Sequence, residues 1–113
     1  MKLQNFERAI IDREKLRSYL LSTAHAVRRF KAAFFQWLGY SANEWERLAT
    51  DLRSQHLSRD ATVGETTLYG QKYEIRATLL GPAGVSAEVV SVWIVLRGEG
   101  APRLITAFPG GIG

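Results

Sequence analysis

The stretch Lys72-Tyr73-Glu74-Ile75-Arg76-Ala77-Thr78-Leu79 decides the fold, because polar and apolar side chains alternate along it. Alternation with a period of two gives a strand one polar face and one apolar face, so this stretch predicts a half-buried β-strand. Gly81-Pro82-Ala83-Gly84 predicts a turn after it. The largely apolar residues from Val85 to Leu96 then predict a second strand, which returns antiparallel to the first.

The sheet continues on both sides of this hairpin. Residues 97–100, which read Arg-Gly-Glu-Gly, predict a second turn, and residues 103–108 predict a third strand. Residues 66–69 can add a short fourth strand at the other edge. The result is an antiparallel meander of three to four strands.

Three helices are predicted before this sheet. Asp12 is a good N-cap residue for a first helix over about residues 13–22. A second helix over about residues 27–38 is predicted by three aromatic side chains spaced i, i+4 and i+7, which are Phe30, Phe34 and Trp37. Ser41 and Glu44 form the capping-box pattern that opens a third helix.

These segments predict the α+β class, with about three N-terminal helices packed on one face of the meander. The chain has 113 residues, which is near the commonest size of a single domain. We therefore predict one domain over residues 1–113. Its helical half is expected at about residues 12–57 and its sheet half at about residues 65–108.

Composition excludes several classes of function. The chain has no Cys and only two His, His25 and His56, and no acidic cluster accompanies them, so neither a metal site nor a cofactor is predicted. The longest apolar run, residues 89–96, is too short to span a membrane, and the first residues contain no apolar signal-peptide core. We expect a cytoplasmic domain with no membrane partner.

The net charge of +4 belongs to the first half of the chain. Residues 1–60 hold 11 Lys and Arg against 7 Asp and Glu, whereas residues 61–113 hold 4 of each kind. The densest cluster is Arg28, Arg29 and Lys31. A basic patch attracts polyanions, so RNA or DNA is a candidate partner, although surface helices are often mildly basic for solubility alone.

Strand register decides which side chains share the open face of the sheet. If Leu80 lies opposite Val85, then Ile75 lies opposite Val90 and Tyr73 lies opposite Val92, and these last two pairs belong to the core. The other face then collects four side chains suited to an RNA base and a phosphate: Arg76, Ser91, Trp93 and Thr106. A slip of one residue would exchange the faces, and the alternative is that a helix or the N-terminal segment covers Trp93.

The segment His25-Ala26-Val27-Arg28-Arg29-Phe30-Lys31 contains residue types that cleave RNA without a metal. In that reaction the 2′-OH attacks its own phosphate, so the protein supplies a base, an acid and cations for the negative charge. If His25 precedes the second helix, it can fold back over the first turn, near Arg28 and Lys31. The more ordinary interpretation of a lone His is a helix-cap or loop residue, and His56 is predicted at a solvated helix end.

Four segments carry a family resemblance: His25-x-x-x-Arg29-x-Lys31-Ala32-x-Phe34-Phe35, Thr67-x-Tyr69-Gly70-Gln71-Lys72-Tyr73, Ala87 to Ile94, and Arg103 to Ala107. They resemble a family of uncharacterised bacterial domains of about this length. The arrangement is also similar to the barnase–EndoU–colicin–RelE-like superfamily of nucleases and toxins. In that superfamily a His near a basic helix precedes an antiparallel sheet.

The superfamily resemblance implies four catalytic residues: His25, Lys31, Arg76 and Thr106. In that set the His is the acid/base, the two cations bind the phosphate, and the Thr hydroxyl forms a hydrogen bond with it. Substrate contacts are predicted at a second set: Arg28, Tyr69, Ser91 and Trp93. The chain departs from the superfamily pattern at Ala26, where Pro is common, and at Arg28, where Gly is expected.

These observations predict a metal-independent ribonuclease that is the toxin of a bacterial toxin–antitoxin pair, with RNA as its substrate and a small neutralising antitoxin protein as its partner. The alternative is a non-enzymatic module that binds protein or nucleic acid, such as an antitoxin or immunity protein. Geometry separates the two hypotheses, because an enzyme needs His25 and Lys31 to converge with Arg76 or Thr106.

Overall fold

The computed structural model describes residues 1–21 and 29–110, and it confirms the α+β class and the antiparallel sheet. The four strands are β1 (Thr62–Thr66), β2 (Gly70–Leu80), β3 (Ser86–Leu96) and β4 (Pro102–Pro109). They lie in the order β1-β2-β3-β4, and every neighbouring pair is antiparallel. The sheet is therefore an open meander, in which each turn joins two adjacent strands.

Helical segments run through the first half of the chain, from Phe6 to His56. Two are α-helices, α1 (Arg29–Trp37) and α2 (Trp45–Asp51). The shorter segments are two 3-10 helices, Phe6–Arg8 and Ala42–Glu44, and two π-helices, Lys15–Leu20 and Leu52–His56. The helical half is thus more divided than three simple helices.

Two helix predictions differ from the structure in detail. The first predicted helix, over residues 13–22, is mostly π-helical, since the Leu21 N–H donates to the Leu16 carbonyl five residues earlier at 2.9 Å. At the third helix, the Ser41 side chain caps no backbone group. Its Oγ contacts Oε1 of Glu44 at 3.5 Å, and a 3-10 turn precedes α2.

The N-terminal segment is tied to both edges of the sheet. Lys2 bridges Asp60 just before β1, and Ile10 forms a parallel bridge with Arg103 of β4. The Ile10 N–H donates to the Pro102 carbonyl at 2.8 Å, so the segment pairs with backbone groups at the β4 edge. No periodicity in the sequence predicts this addition.

Helical segments cover one face of the sheet, which we name the core face; the opposite side is the outer face. The buried side chains from the helical segments include Leu16, Phe35, Leu38, Leu48 and Leu52, and those from the strands include Ile75, Leu79, Val89, Trp93, Leu104 and Ala107. This layer of apolar contacts holds α1 and α2 against the sheet.

The register of β2 against β3 is shifted by one residue from the predicted register. Leu80 pairs with Ser86 rather than with Val85. Because side chains alternate between the two faces, the shift places Ser91 and Trp93 on the core face, where both are fully buried. The prediction that these two side chains lie on the open face is therefore wrong.

The length of the β2–β3 turn explains the shift. The Gly81 N–H donates to the Val85 carbonyl at 2.9 Å, so the turn holds five residues and not four. The turn is anchored beside the end of α1, because the Ala83 N–H donates to the Leu38 carbonyl at 3.0 Å. Gly81 permits this approach, since a Cβ there would lie 2.1 Å from the Leu38 carbonyl oxygen.

Candidate functional site

The outer face of the sheet holds two of the predicted catalytic residues. The strand register gives two rows of three residues across β2, β3 and β4, which are Glu74–Val92–Thr106 and Arg76–Val90–Phe108. Of the four side chains predicted to collect on the open face, Arg76 and Thr106 lie there. The candidate site therefore lies on the outer face.

Lys31 meets Thr106 from α1. Its Nζ donates a hydrogen bond to Oγ1 of Thr106 at 3.1 Å, in a partly buried contact between residues 75 positions apart. The fold places Lys31 here because Phe35, one helical turn further along α1, is fully buried in the core. A hydroxyl that accepts from an ammonium keeps its own proton, which it can donate to an anion.

A β-bulge positions Thr106 in β4. Val92 lies opposite Thr106, whereas the next residue, Trp93, lies opposite Leu104, so Ile105 is an extra residue in β4. Bulges bend a strand and redirect its side chains, and they are common next to active sites. The irregularity in β4 thus adjoins the residue that Lys31 contacts.

Arg76 is held at another point of the outer face. It donates to Oε1 of Glu88 at 2.7 Å and to the carbonyl oxygen of Gly110. The Gly110 N–H in turn donates to the Glu88 carbonyl at 2.9 Å. Two inter-strand spacings and two residues along the strand separate Arg76 from Thr106, which corresponds to about 12 Å between their Cα atoms. The structure therefore does not bring Arg76 to the Lys31–Thr106 contact.

Of three further predicted residues, the structure describes only Tyr69. His25 and Arg28 lie outside the described residues. Tyr69 is 74% exposed in the loop between β1 and β2, beside Gly70, which pairs with Leu96 at the far end of β3. By strand spacing this loop is more than about 15 Å from Thr106. The structure thus separates Tyr69 from the site.

Ser91 and Trp93 belong to a buried network with His56. All three residues are 0% exposed. Oγ of Ser91 lies 2.7 Å from Nδ1 of His56 and accepts a hydrogen bond from Nε1 of Trp93 at 2.8 Å. The prediction of a solvated His56 is wrong, because the helical turn that ends at this residue packs it onto β2 and β3.

The hydrogen bonds of His56 determine which ring nitrogen carries the proton. Nε2 lies 3.2 Å from the Ala77 carbonyl, which can only accept, so Nε2 is protonated and Nδ1 accepts from the Ser91 hydroxyl. Burial lowers the pKa of His56, because the imidazolium loses its hydration, and the bond to Ala77 opposes this effect only in part. This Ser–His pair is closed to solvent and stabilises the core.

A second polar cluster lies beyond the end of α1. A pocket of about 150 Å³ is lined by Gly39, Tyr40, Glu44, Arg47 and Pro82. The Tyr40 hydroxyl donates to the buried Asp51 carboxylate at 2.6 Å, and Nε of Arg47 donates to the same carboxylate. Burial and the bond to Asp51 raise the pKa of Tyr40. The cluster joins α1 to α2. It begins at Gly39, eight residues after Lys31, which corresponds to about 12 Å along the axis of α1.

The sequence pattern also failed to predict that two aromatic side chains on α1 are exposed. Phe30 is 83% exposed and Trp37 is 57% exposed, although their spacing predicts a buried stripe. The available signal was a second apolar stripe on the same helix, whose members are fully buried: Ala32, Phe35 and Leu38. An α-helix with two apolar stripes buries only one of them against a single sheet.

Residues 1–21 and 29–110 contain no group of three or more His, Cys, Asp or Glu side chains placed to hold a metal ion. In the same part of the chain, every helix is too short or too polar to cross a membrane.

A family model described as a domain of unknown function (DUF6883) matches residues 2–111. The chain belongs to this family. Its fold is similar to a chain in a solved structure described as a contact-dependent growth inhibition toxin–immunity protein complex from Klebsiella pneumoniae 342. That chain is 19% identical, with a TM-score of 0.63, and the match covers 95% of this chain and 97% of the other. Similarity at this identity shows the fold alone. No curated protein matches the chain.

Proposed function

We propose that this domain is a metal-independent ribonuclease and the toxin of a toxin–antitoxin pair. The observation that carries the proposal is the hydrogen bond of 3.1 Å between Nζ of Lys31 and Oγ1 of Thr106. It joins two side chains that the superfamily resemblance assigns to the reacting phosphate. The pair lies at the rim of the outer face, beside a bulge in β4.

The chemistry needs few groups. The 2′-oxygen bonds to the adjacent phosphorus as the bond to the 5′-oxygen breaks, which leaves a 2′,3′-cyclic phosphate and a 5′-hydroxyl end. The Lys31 ammonium stabilises the negative charge that develops on the phosphoryl oxygens, and the Thr106 hydroxyl donates to one of them. His25 takes the proton of the 2′-OH and supplies a proton to the leaving oxygen. Arg76, about 12 Å away, binds a neighbouring phosphate of the same strand after it releases Glu88.

The structural neighbour supports a toxin or immunity role, because the complex that contains it is named for both proteins. The charge of the chain favours the toxin, since all of its excess positive charge lies in residues 1–60, the half that contains Lys31. On this proposal a folded protein partner neutralises the domain. The barnase–EndoU–colicin–RelE-like assignment is part of the same proposal.

A second candidate is an immunity-type protein that binds its partner without catalysis. The observation in its favour is the loop between β1 and β2, where Leu68 is 83% exposed and Tyr69 is 74% exposed. Exposed aromatic and aliphatic side chains at a loop tip are typical of protein interfaces. Only the ribonuclease hypothesis requires RNA cleavage, so a cleavage assay separates the two candidates.

Cleavage of a labelled RNA by the purified protein tests the proposal. We expect cleavage in excess EDTA, with a rate that falls at least about 100-fold in Lys31→Ala, because an electrostatic contact to the developing charge is lost. Thr106→Val keeps the shape of the side chain but removes its hydroxyl, and we expect it to cleave RNA about tenfold more slowly than the wild type. Lys2→Ala is the matched control, since it removes the same charge near β1 and is expected to cleave at the wild-type rate. Cleavage that survives Lys31→Ala would overturn the site, and intact RNA with the wild-type protein would overturn the activity.

A further inference from the structure

We infer that α1 carries a base-stacking platform, formed by Phe30 and Trp37, which holds an unpaired segment of the RNA strand beside the Lys31–Thr106 site. The inference rests on the proposed function and adds to it the kind of RNA that the site takes. Stacking on exposed aromatic rings is the usual way in which proteins hold unpaired bases, because every base has a π-face.

The exposure of the two rings is the first observation. Phe30 is 83% exposed and Trp37 is 57% exposed. They are seven residues apart, so they lie on the same side of α1, about 10 Å apart along its axis. Trp37 packs against Phe34, and the centroids of the two rings are 6.2 Å apart. The two rings therefore lie on the same exposed side of α1, and we name them together the α1 platform.

The position of the α1 platform relative to Lys31 is the second observation. Phe30 immediately precedes Lys31, so their side chains leave the helix about 100° apart. Lys31 is directed to Thr106 at the sheet, whereas Phe30 is directed to solvent. A strand whose base stacks on Phe30 can therefore bring a phosphate to the Lys31–Thr106 contact, since Phe30 and Lys31 are adjacent residues of α1.

The positive charge of the segment that contains α1 indicates that the ligand of the α1 platform is a polyanion. Residues 15–43, which include α1, contain five cationic residues and no Asp or Glu. The cations are Lys15, Arg17, Arg28, Arg29 and Lys31. A second copy of this chain would bring the same positive charge against the platform and would be repelled. An RNA strand supplies both bases for the rings and a phosphate for Lys31.

Binding of an unpaired, uniformly 2′-O-methyl oligoribonucleotide tests the platform, because this probe has no free 2′-OH and cannot be cleaved. Fluorescence anisotropy at constant low salt is compared for the wild type, Phe30→Leu, Phe30→Trp and Val63→Ala. Phe30→Leu keeps apolar bulk without a π-face, and we expect binding about tenfold weaker or more. Phe30→Trp is expected to bind within about threefold of the wild type. Val63→Ala is the control and is expected to bind like the wild type, since Val63 is a 56% exposed apolar residue in β1.

Two outcomes would overturn the platform: equal affinity of Phe30→Leu and the wild type, or no binding of the oligonucleotide by the wild type. Either result would make the rings a surface for a protein partner. The RNA cleavage assay distinguishes this failure from failure of the proposed function. Cleavage that depends on Lys31 but not on Phe30 keeps the ribonuclease and removes the platform, whereas binding that depends on Phe30 without cleavage removes the ribonuclease.

Discussion

Ser91 is the central residue of the buried polar network, because its hydroxyl contacts both Nδ1 of His56 and Nε1 of Trp93. We expect Ser91→Ala to lower the free energy of unfolding by about 2–3 kcal/mol, since it leaves two buried polar groups without partners. Urea unfolding measures this change.

Ser86→Ala is the control for this substitution, since Ser86 is exposed at the start of β3. Its free energy of unfolding should stay within about 0.5 kcal/mol of the wild type. If the two variants were equally stable, the network would contribute nothing to the core.

Side-chain types that suit a phosphate can be recognised in the sequence, but the contacts that these side chains make in the fold cannot. The cationic side chain of Lys31 suits a phosphate by its type alone, whereas the role of Thr106 is what the superfamily resemblance implies. Their contact depends on a helix and a bulged strand that are 75 positions apart, which no local pattern encodes. His56 shows the reverse case, because polar neighbours in sequence predict a solvated residue, whereas tertiary packing buries it against Ser91.

At the scale of elements, the β2–β3 turn fixes which faces β2 and β3 present. Gly81 allows this turn to touch the chain after α1, where a Cβ would lie 2.1 Å from the Leu38 carbonyl oxygen. We expect Gly81→Ala to cost about 2–4 kcal/mol of stability, because backbone must move to make room. Thermal and urea unfolding both report this loss.

Gly84→Ala provides the comparison within the same turn. Gly84 has φ +82° and no atom near the added Cβ, so only conformational strain of about 1 kcal/mol is expected. A Gly81→Ala protein as stable as Gly84→Ala would show that the contact with Leu38 does not hold the turn.

The strands were easier to predict than their pairing. Alternation of side chains identified β2, and turn residues bounded β3, since both signals are local. The pairing depends on whether Val85 belongs to the turn or to the strand, and hydrogen bonding from Gly81 decides it. A single residue in the turn therefore moves Trp93 from the outer face to the core.

At the scale of the whole molecule, burial of His56 links stability to pH. The folded state holds the pKa of His56 below its ordinary value of 6.5, so the unfolded chain binds more protons between these two pKa values. We therefore expect the free energy of unfolding to keep its full value above about pH 6.5. It should fall as the pH drops from there toward the folded-state pKa of His56. Urea unfolding at a series of pH values between 5 and 7.5 measures this.

Variants of the two histidines assign the pH dependence. His56→Gln retains a donor and an acceptor but does not titrate, so the slope between pH 5 and 6.5 should flatten. His25→Ala is measured beside it, because these are the two histidines of the chain. A slope that disappears with His25 instead would contradict the burial of His56.

The α+β class was predictable because hydrophobic periodicity changes from helical to strand-like near residue 60. The N-terminal addition to the β4 edge was not, since Ile10 pairs through backbone groups that any sequence carries. The site itself is only partly accounted for by sequence: Lys31 and Thr106 meet, Arg76 is held by Glu88, and Trp93 is in the core.

Induced expression in a bacterial host tests the ribonuclease proposal, with wild type, Lys31→Ala and Lys2→Ala compared for growth and for the integrity of total RNA. The account predicts growth arrest with cleaved RNA for the wild type and for Lys2→Ala, and normal growth with intact RNA for Lys31→Ala at equal protein levels. Normal growth and intact RNA with folded wild-type protein would contradict the ribonuclease, and cleavage by Lys31→Ala would contradict the site.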